Sequence, residues 1–597
     1  MYRLQGPVEN RFALRLQEES WRIQDATALP ASRSPRASSG KLEEAPPATL
    51  GAPLSAGARS FSTRSIPLAA ATATTFHDTW RPRANPWAIA ITVTLATFME
   101  SLDTSIANVA MPHIGGNLAA SPEEATWVLT SYLVANAMVL PISGWIANRI
   151  GRKRFYMTCV FLFTVASLLC GLAPSLGLLV FFRVLQGAAG GGLQPSEQSI
   201  LADTFPPEKR SMAFAVYGVA VVMAPVLGPT VGGWIVDNYN WRWIFFLNIP
   251  VGIISLYLSN RLVEDPPYLA EIRKRRIGID YWGLGLLIVA IGSIQIMLDK
   301  GQEDDWFGSR FITTLAITAA VGLILFFWRE LTIDHPVLDL RLFARRNVGM
   351  TQLVMFMVGV ALYSSTVLIP QFLQEIMGYS AQQAGMAVSS GGLVLMFLFP
   401  VAGALAPRFD PRRLVSIGFV ITTFGLWRMT EINPNVSFGM AVSWRVFIAL
   451  GLPFLFIPIN TLCYSGIPQE KYNEVSGLTA LMRNLGGSVG ISFVTTLLAR
   501  YSQRHLAMLS EHAAPGNPPF ERLRSGLAGG WIARGSALPD AVHHAGAQIY
   551  GMAQIQARLL AYVDVIWIMV GVTAVLVPLP FLMKRPAKRA GAAPAAH

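Results

Sequence analysis

Residues 218–234 read GVAVVMAPVLGPTVGGW and lie in an apolar run that is long enough to cross a bilayer as a helix. Two prolines and three glycines fall within ten of these residues. In a membrane helix, such residues let neighbouring backbones approach closely and let the helix bend. This is more than packing usually needs, although a tightly packed helix is the alternative interpretation. The marker residues are Ala224, Pro225, Gly228, Pro229, Gly232 and Gly233.

The composition is that of a polytopic membrane protein. The chain has 597 residues, of which 52% are hydrophobic and only 14% are charged, whereas soluble domains carry about 25% charged residues. Cys159, Cys170 and Cys463 all lie in apolar runs, so neither a disulfide framework nor a metal cluster is indicated. The net charge of +12 fits basic loops on the cytoplasmic side of a membrane better than nucleic-acid binding.

Hydropathy divides the chain into fourteen predicted membrane-spanning helices, each with about 20 mainly apolar residues. The even-numbered links between them are rich in Arg and Lys, and the short odd-numbered links nearly lack these residues. The positive-inside rule therefore predicts that both termini are cytoplasmic. The predicted spans are 87–111, 125–147, 155–173, 177–201, 212–235, 243–260, 281–298, 311–329, 349–373, 384–405, 413–430, 442–464, 484–507 and 560–583.

Two segments outside these spans are unusual. Residues 1–82 are rich in Ser, Ala, Pro and Arg and contain no run long enough to span, so we expect a disordered N-terminal extension. A mis-assigned translation start is the alternative explanation. The thirteenth link, 508–559, is long and carries several arginines. As an odd-numbered link, it is expected in the periplasm. Its arginines do not contradict this, because the positive-inside rule does not govern long links.

Besides the run quoted first, six stretches stand out: ESLDTSIANVAMP (100–112), GWIANRIGRK (144–153), RVLQGAAGG (183–191), IFFLNIPVG (244–252), IQIMLDKGQEDDWF (294–307) and MRNLGGSVGISF (482–493). The first three and the opening run resemble motifs of the fourteen-span drug:proton antiporters of the major facilitator superfamily. The last three resemble the EmrB branch of that family. The resemblance runs from about residue 87 to residue 583, and its motifs occur in the expected order.

This resemblance implies an all-α polytopic membrane protein with the major facilitator fold. Two six-helix halves, 83–264 and 348–585, would be related by a pseudo-two-fold axis along the membrane normal. The seventh and eighth helices, with their linkers, would be an inserted pair at 265–347. Residues 586–597 would form a cytoplasmic tail.

The resemblance also implies a function. EmrB-like proteins are proton-coupled exporters of hydrophobic toxicants in the bacterial inner membrane and work by alternating access. Their partners, besides the lipid bilayer, are a periplasmic adaptor (a membrane fusion protein) and an outer-membrane channel. We therefore expect an antiporter of hydrophobic drugs, cationic or amphipathic in character.

Two other functions remain open. One is a dedicated exporter of a single metabolite, such as a siderophore, a natural product or a fatty acid. The other is a non-transporting membrane receptor or scaffold with the same fold. The sequence has no G-x-x-x-x-G-K-[ST] motif and no catalytic constellation. We therefore expect neither an enzyme nor a cofactor or metal, and the proton gradient as the energy source.

Four ionisable residues within the spans form the predicted proton-coupling site, because such residues are costly in a bilayer and mark function. Asp103 and Arg183 match the acid and the arginine of the family motifs. Glu100 shares a helix face with Asp103, and Glu197 is a second proton site or a contact for cationic substrates. The alternatives are an N-cap or a hydrogen-bonding structural acid for Asp103, a water-exposed cavity residue for Glu100, a snorkelling Arg183, and a cytoplasmic-end Glu197 near Lys209 and Arg210.

Polar and aromatic side chains at other span positions are the predicted lining of the substrate cavity. Flexible or aromatic side chains suit broad hydrophobic recognition, although packing or lipid contact is the alternative role for each of them. The predicted lining residues are Gln194, Gln198, Phe356, Tyr363, Gln371, Phe454 and Asn460.

The loop motif at 144–153 departs from the family pattern at one position. Asn148 stands where the family usually has an aspartate that caps a helix and forms a charge relay. An asparagine can hydrogen-bond, but it carries no charge. Together with the marker residues of the opening run, the predicted conformational motif includes Gly144, Asn148, Arg149, Gly151 and Arg152.

Overall fold

The structure is a computed structural model that describes Trp80 and residues 82–274, 280–333, 336–513 and 516–583. Within these residues, all regular secondary structure is helical. This confirms the all-α class. The predicted tail 586–597 and, apart from Trp80 and Pro82, the predicted extension 1–82 lie outside the described residues.

Fourteen long helical segments follow one another in the described part of the chain, one at each predicted span. The first six are α1 (Pro86–Asn117), α2 (Pro122–Ile150), α3 (Arg152–Leu172), α4 (Leu176–Thr204), α5 (Pro207–Asn238) and α6 (Trp243–Leu262). The next two are α7 (Tyr281–Lys300) and α8 (Arg310–Thr332). The last six are α9 (Arg346–Glu375), α10 (Ala381–Leu405), α11 (Pro411–Met429), α12 (Phe438–Leu462), α13 (Tyr472–Glu511) and α14 (Leu538–Leu576).

Some of these segments are interrupted, and short helices lie in the links. Turns divide α2 after Ala125, α4 after Gly190 and α6 after Phe246. The link helices are Pro267–Lys274, Arg341–Ala344 and Pro518–Ile532, and short 3-10 turns cover Trp306–Gly308, Gln469–Lys471 and Leu579–Leu582.

Twelve of the described helical segments are long and apolar enough to cross a membrane. The other two are α11 and α13. α11 carries Arg412, Arg413 and Arg428 within 19 residues, and α13 begins with polar turns that precede its apolar part. Both coincide with predicted spans, and the count of fourteen crossings stays a prediction.

The link between α13 and α14 is mostly helical in its described part. α13 runs to Glu511, and α14 already begins at Leu538, so both helices extend well beyond the predicted spans. Ala528 of the link helix packs against Ala541 and Ala545 of α14. The two long helices and the link helix thus form a helical projection at one end of the bundle.

Local sequence explains where several helices begin. Ser175 accepts a hydrogen bond from the backbone N–H of Leu178 at the start of α4, and Ser437 does the same for Met440 at the start of α12. A serine at this position satisfies a backbone donor that the helix leaves free. Gly151 separates α2 from α3 with a φ of +102°, which a residue with a side chain rarely adopts.

Three apolar clusters organise the bundle. One is built from α1–α6 and the α5–α6 link, and another from α9–α14 with the α11–α12 link. The third combines both sets of helices, at the end where α1, α3 and α5 begin and α10 and α12 end. The two sets therefore share a core at one end of the bundle and have separate cores towards the other end.

The inserted pair α7 and α8 packs beside this bundle. Leu287 of α7 and Phe326 of α8 join a cluster with Leu140 of α2 and Leu478 of α13. The outer surface of α8 is apolar and exposed, as at Ile324. An exposed apolar helix face is expected where a helix contacts lipid.

Candidate functional site

A buried ion pair joins α1 to α4. Arg183 Nη1 donates to Asp103 Oδ2 at 2.6 Å, and the two side chains are 0% and 1% exposed. Asp103 Oδ1 accepts hydrogen bonds from Gln186 Nε2 at 2.9 Å and from Asn248 Nδ2 at 2.6 Å. Pairing and hydrogen bonding of this kind are what make ionisable groups tolerable in a bilayer. Sequence reasoning missed Gln186 and Asn248, although both lie in motifs that it quoted.

The guanidinium of Arg183 is held on several sides. Its Nε donates to the backbone oxygen of Val128 at 3.0 Å, and its Cζ lies 4.2 Å from the ring centroid of Tyr132. Arg183 is therefore not an arginine that snorkels to the headgroups. Asp103 lies inside α1, so it does not cap a helix either.

Glu100 lies one helical turn before Asp103 and is also buried. Its Oε1 accepts a hydrogen bond from Asn136 Nδ2 of α2 at 3.0 Å. The Arg483 guanidinium of α13 acts on it electrostatically. In this conformation, Glu100 is thus enclosed by protein groups rather than exposed to a water-filled cavity.

The glycines after Arg183 make this close packing possible. A Cβ at Gly190 would lie 2.9 Å from Tyr132 Oη and 3.1 Å from Asn136 Nδ2, and a Cβ at Gly191 would collide with the backbone oxygen of Asn136. The absence of side chains lets α2 approach α4 closely. α4 divides after Gly190, and its second part contains the polar residues of QPSEQ (194–198).

Gln194 and Gln198 both lie next to Arg483, the first directly and the second through Tyr217, whereas Glu197 has a separate partner on α1. Glu197 accepts hydrogen bonds from the backbone N–H of Thr97, at 3.0 Å, and from the Thr97 hydroxyl. Gln198 Nε2 donates to Tyr217 Oη at 3.1 Å. Gln194 is hydrogen-bonded to Arg483. Glu197 therefore contacts α1, and not Lys209 or Arg210 as the alternative interpretation expected.

Sequence reasoning missed two buried arginines, Arg483 and Arg445. Arg483 of α13 connects the second set of helices to Gln194 of the first, and its Cζ lies 5.8 Å from the ring centroid of Phe456. Arg445 of α12 donates from Nη1 to Ser365 Oγ at 3.3 Å. An ionisable residue inside a predicted span was the available signal for Arg445.

The loop motif links the two sets of helices at the end where they share a core. Asn148 Oδ1 accepts a hydrogen bond from Asn473 Nδ2 at 2.7 Å, and Asn148 Nδ2 donates to the backbone oxygen of Glu470 at 3.4 Å. A Cβ at Gly144 would lie 2.7 Å from the Asn473 backbone. Arg149 stands over the Trp145 ring at 5.6 Å.

Arg152, the next residue of the motif, is buried among polar partners. It forms an ion pair with Asp203, and it donates to the backbone oxygen of Ser199 at 3.2 Å and to Tyr268 Oη at 3.0 Å. Tyr268 Oη in turn donates to Asp203 Oδ2 at 2.7 Å. This network fixes the end of α4 to the start of α3 and to the helix that follows α6.

The opening run forms the second half of α5, which is continuous despite Pro225 and Pro229. Gly228 contacts Ser105 of α1 so closely that no side chain would fit, and a Cβ at Gly232 would lie 2.9 Å from Ile106 Cγ2. A Cβ at Gly233 would meet nothing within 4 Å. Two of the three glycines therefore serve the contact between α5 and α1.

The remaining predicted cavity residues are dispersed over α9 and α12. Phe356, Tyr363, Gln371 and Phe454 are half-buried. Gln371 Nε2 donates to Glu375 Oε1 at 3.0 Å. Asn460 is fully buried and donates to the backbone oxygen of Phe456 in its own helix.

The chain is similar to known proteins along most of its length. Residues 93–491 match the family described as Major Facilitator Superfamily. The multidrug export protein EmrB of Escherichia coli (strain K12) is 38% identical over 518 residues, covering 85% of this chain and 97% of EmrB. The fatty acid resistance protein FarB of Neisseria gonorrhoeae is 39% identical over 451 residues, covering 75% of this chain and 88% of FarB.

A solved structure shares the fold. It is the major facilitator proton:xylose symporter XylE bound to 6-bromo-6-deoxy-D-glucose, with a TM-score of 0.51 and 15% identity over 79% of this chain and 94% of that chain. At this identity, the likeness concerns the fold alone. The similarities confirm the resemblance and the fold that the sequence motifs predicted. The chain belongs to the major facilitator superfamily and, within it, to the EmrB-like branch.

Proposed function

We propose that this chain is a proton-coupled exporter of hydrophobic drugs and toxicants that works by alternating access. The observation that carries the proposal is the fully buried pair of Asp103 and Arg183, a carboxylate inside a span whose charge is balanced by one partner. The identity to EmrB, named a multidrug export protein, supports the substrate class. The proton gradient is the only energy source proposed, with neither a cofactor nor enzymatic catalysis.

The moving parts in this proposal are two halves, residues 83–264 and 348–585, with the inserted pair and its linkers at 265–347. The helices of the two parts share an apolar core at one end and have separate cores towards the other, which is the packing expected when a cavity opens at one side only. In the cycle, contacts such as Asn148–Asn473 and Gln194–Arg483 break and equivalent contacts form at the opposite end.

Proton coupling follows from the hydrogen bonds around Asp103. Gln186, Asn248 and Arg183 all donate to its carboxylate in this conformation. A proton on Asp103 removes the charge that balances Arg183 and thereby favours the other conformation. Transfer of one elementary charge across 100 mV supplies about 2.3 kcal/mol, so one or a few protons per cycle are sufficient. Glu100 and Glu197 are the further proton sites in this proposal.

Substrate would bind between the halves, next to these groups. The proposed lining includes the half-buried residues Phe356, Tyr363, Gln371 and Phe454, with Gln194. Gln198 and Asn460, which are buried against neighbours in this conformation, would become accessible when the halves separate at the other end.

The proposed location is the bacterial inner membrane, with both termini in the cytoplasm. The arginine-rich links support this orientation. The projection formed by the ends of α13 and α14 and by Pro518–Ile532 would then be periplasmic. We propose it as the contact for a periplasmic adaptor that leads to an outer-membrane channel.

A dedicated exporter of one metabolite is the second candidate function. The relative FarB, named a fatty acid resistance protein and 39% identical, favours it over a non-transporting receptor. Export of a single amphiphile class would need the same coupling site as broad export. The two candidates therefore differ only in the range of compounds that the wild type moves.

Accumulation of toxicants in an efflux-deficient host tests the proposal. The host expresses the wild type, Asp103→Asn or the control Asp564→Asn together with the adaptor, and accumulation of ethidium and of a protonophore-type uncoupler is measured. The control changes a half-exposed carboxylate on α14. We expect lower accumulation with the wild type and with the Asp564→Asn control, but not with Asp103→Asn. For ethidium, we expect this difference to vanish when the proton gradient is collapsed. Equal accumulation in all strains, with each protein present in the membrane, would rule out broad export.

A further inference from the structure

Arg445 is a buried cation without a matching carboxylate. It lies on α12 and is 6% exposed, with Gly391 of α10 directly against its side chain. Its Nη1 donates to Ser365 Oγ of α9 at 3.3 Å, and its Nε has no hydrogen-bond partner among the described residues. A charge in such surroundings is costly unless an opposite charge balances it.

The helices around Arg445 do not supply that opposite charge. α9, α10, α11 and α12 together contain a single acidic residue, Glu375, which is the last residue of α9. In α5, which also packs against α12, the acids Glu208 and Asp237 lie exposed near the two helix ends. Glu375 Oε2 lies 3.8 Å from Arg558 Nη1 and is half-exposed. Within the described part of the chain, no ion pair is formed by Arg445.

A comparison of α12 with α4 shows what is missing. Each helix is capped by a serine, Ser175 or Ser437, and in each an arginine follows the cap by eight residues. In α4, that arginine meets the Asp103 carboxylate of α1. In α12, the corresponding Arg445 meets only the Ser365 hydroxyl of α9. The same arrangement thus occurs in both halves, with a carboxylate in the first and a neutral hydroxyl in the second.

We propose that Arg445, beside Ser365, binds the anionic headgroup of an amphiphile, such as the carboxylate of a long-chain acid. The guanidinium provides charge-assisted donors. The Ser365 hydroxyl donates to the backbone oxygen of Leu362 at 2.9 Å, so in this conformation it only accepts from Arg445. Gly391 lets α10 pack directly against the Arg445 side chain, since a Cβ there would lie 2.8 Å from Arg445 Cγ and 3.2 Å from its Nε. The bound anion takes the place that Asp103 occupies in the first half. This inference rests on the proposed export function and gives it a substrate class.

Direct binding tests the inference without requiring transport. Radiolabelled dodecanoate is bound to the purified full-length protein in nanodiscs of zwitterionic lipid. Arg445→Gln is expected to weaken binding about tenfold or more, because a charge-assisted contact is lost. The control Arg428→Gln, which removes an arginine paired with Glu431 at the end of α11, should bind like the wild type. Equal binding by the wild type and Arg445→Gln would overturn the inference.

A second variant guards against a simple folding defect. Ser365→Asp installs the carboxylate that the first half already has, so it should neutralise Arg445 from within. We expect this variant to lose dodecanoate binding about tenfold or more, while its melting temperature equals or exceeds that of the wild type. Retained dodecanoate binding in a folded Ser365→Asp protein would contradict the proposal.

The lipid composition of the nanodiscs distinguishes two sources of the anion, a free long-chain acid and an anionic lipid headgroup. In nanodiscs that contain phosphatidylglycerol, unchanged dodecanoate binding assigns the site to a free acid. Competition by this lipid, lost in Arg445→Gln, assigns the site to anionic lipid headgroups. Either result upholds the anion site, and competition that persists in Arg445→Gln counts against it.

Export measurements separate this inference from the proposed function. With the wild type, cells should export both ethidium and dodecanoate, and Arg445→Gln should lose dodecanoate export while it keeps ethidium export within about twofold, because one contact is changed. If the wild type exports ethidium and Arg445→Gln exports dodecanoate as well as the wild type does, the anion site is refuted and the proposed function stands. Export of neither compound by the wild type would refute the proposed function. The anion site would then be decided by dodecanoate binding in nanodiscs, compared between the wild type and Arg445→Gln.

Discussion

Arg183 Nη1 lies 2.6 Å from Asp103 Oδ2, and neither side chain is accessible to solvent. The remaining oxygen of Asp103 is occupied by Asn248 and Gln186. The pair therefore joins α1 and α4 directly and α6 through Asn248. A change in the charge of Asp103 affects three helices of the first half at once.

Removal of one partner of this pair should destabilise the protein strongly. Asp103→Ala leaves the Arg183 charge buried and unbalanced, so we expect the free energy of unfolding to fall by about 3–5 kcal/mol. Unfolding measured by steric trapping in nanodiscs checks this value. The control Asp564→Ala breaks a half-exposed pair with His505 and should cost less than about 1 kcal/mol. Equal losses for the two variants would show that the buried pair is not special.

Close helix contact at Gly144 gives a second prediction. A Cβ at this position would lie 2.7 Å from the backbone of Asn473, which cannot turn away as a side chain can. We expect Gly144→Ala to cost about 1–3 kcal/mol of unfolding free energy through overpacking. Gly233→Ala is the matched control, because its Cβ would meet nothing within 4 Å. If melting temperatures in the same detergent fall equally for both, the α2–α13 contact is not the cause.

The contact between Gly228 and Ser105 predicts a compensating pair of substitutions. Gly228→Ala should impair folding and transport, because the new methyl group collides with the Ser105 side chain. In the double variant Gly228→Ala with Ser105→Gly, that side chain is absent. The atom nearest to the new methyl group is then the backbone carbonyl carbon of residue 105, at 3.3 Å. We therefore expect the double variant to recover most of the yield of folded protein and of the ethidium export. A double variant as impaired as the single one would argue against this cause.

The network around Arg152 predicts a dependence on alkaline pH. Burial, as the main cause, raises the pKa of the Tyr268 hydroxyl above its usual range, and this hydroxyl donates to Asp203. The folded protein keeps it protonated where the unfolded chain ionises, above about pH 10. The stability from this group is present below that pH and is lost above it. Tyr268→Phe should cost about 1.5–3 kcal/mol near pH 8, with a difference from the wild type that shrinks at pH 10.5. A constant difference in melting temperature would contradict this account.

Hydropathy and motif order predicted the helices better than the contacts between them. All fourteen predicted spans coincide with long helical segments, because an apolar run of this length determines a membrane helix with little influence from its neighbours. The largest difference is at the start of α14, which lies at Leu538 rather than at 560. The next concerns α13, which begins at Tyr472 rather than at 484. Its first turns carry Asn473, Glu474 and Arg483, and such polar residues lower the hydropathy although they face protein. Arg483 was overlooked for this reason.

The rotation of each helix was not available from the sequence. The sequence predicted Gln194 and Gln198 as cavity lining and Glu197 as a proton site or a substrate contact, whereas the structure directs them to Arg483, Tyr217 and Thr97 respectively. The partner of a polar residue depends on which neighbouring helix it meets, and hydropathy gives only its depth. Asn248 and Gln186 were missed for the same reason, since their proximity to Asp103 depends on how α1, α4 and α6 pack.

The most direct test of proton coupling through Asp103 is proton movement in proteoliposomes. Purified wild type, Asp103→Asn and Asp564→Asn are reconstituted with a trapped pH-sensitive dye, and an ethidium gradient is imposed. We expect protons to move against the ethidium flux with the wild type and the Asp564→Asn control, and not to move with Asp103→Asn. Proton movement of the wild-type size in Asp103→Asn, or ethidium transport by the wild type without proton movement, would contradict proton coupling through Asp103.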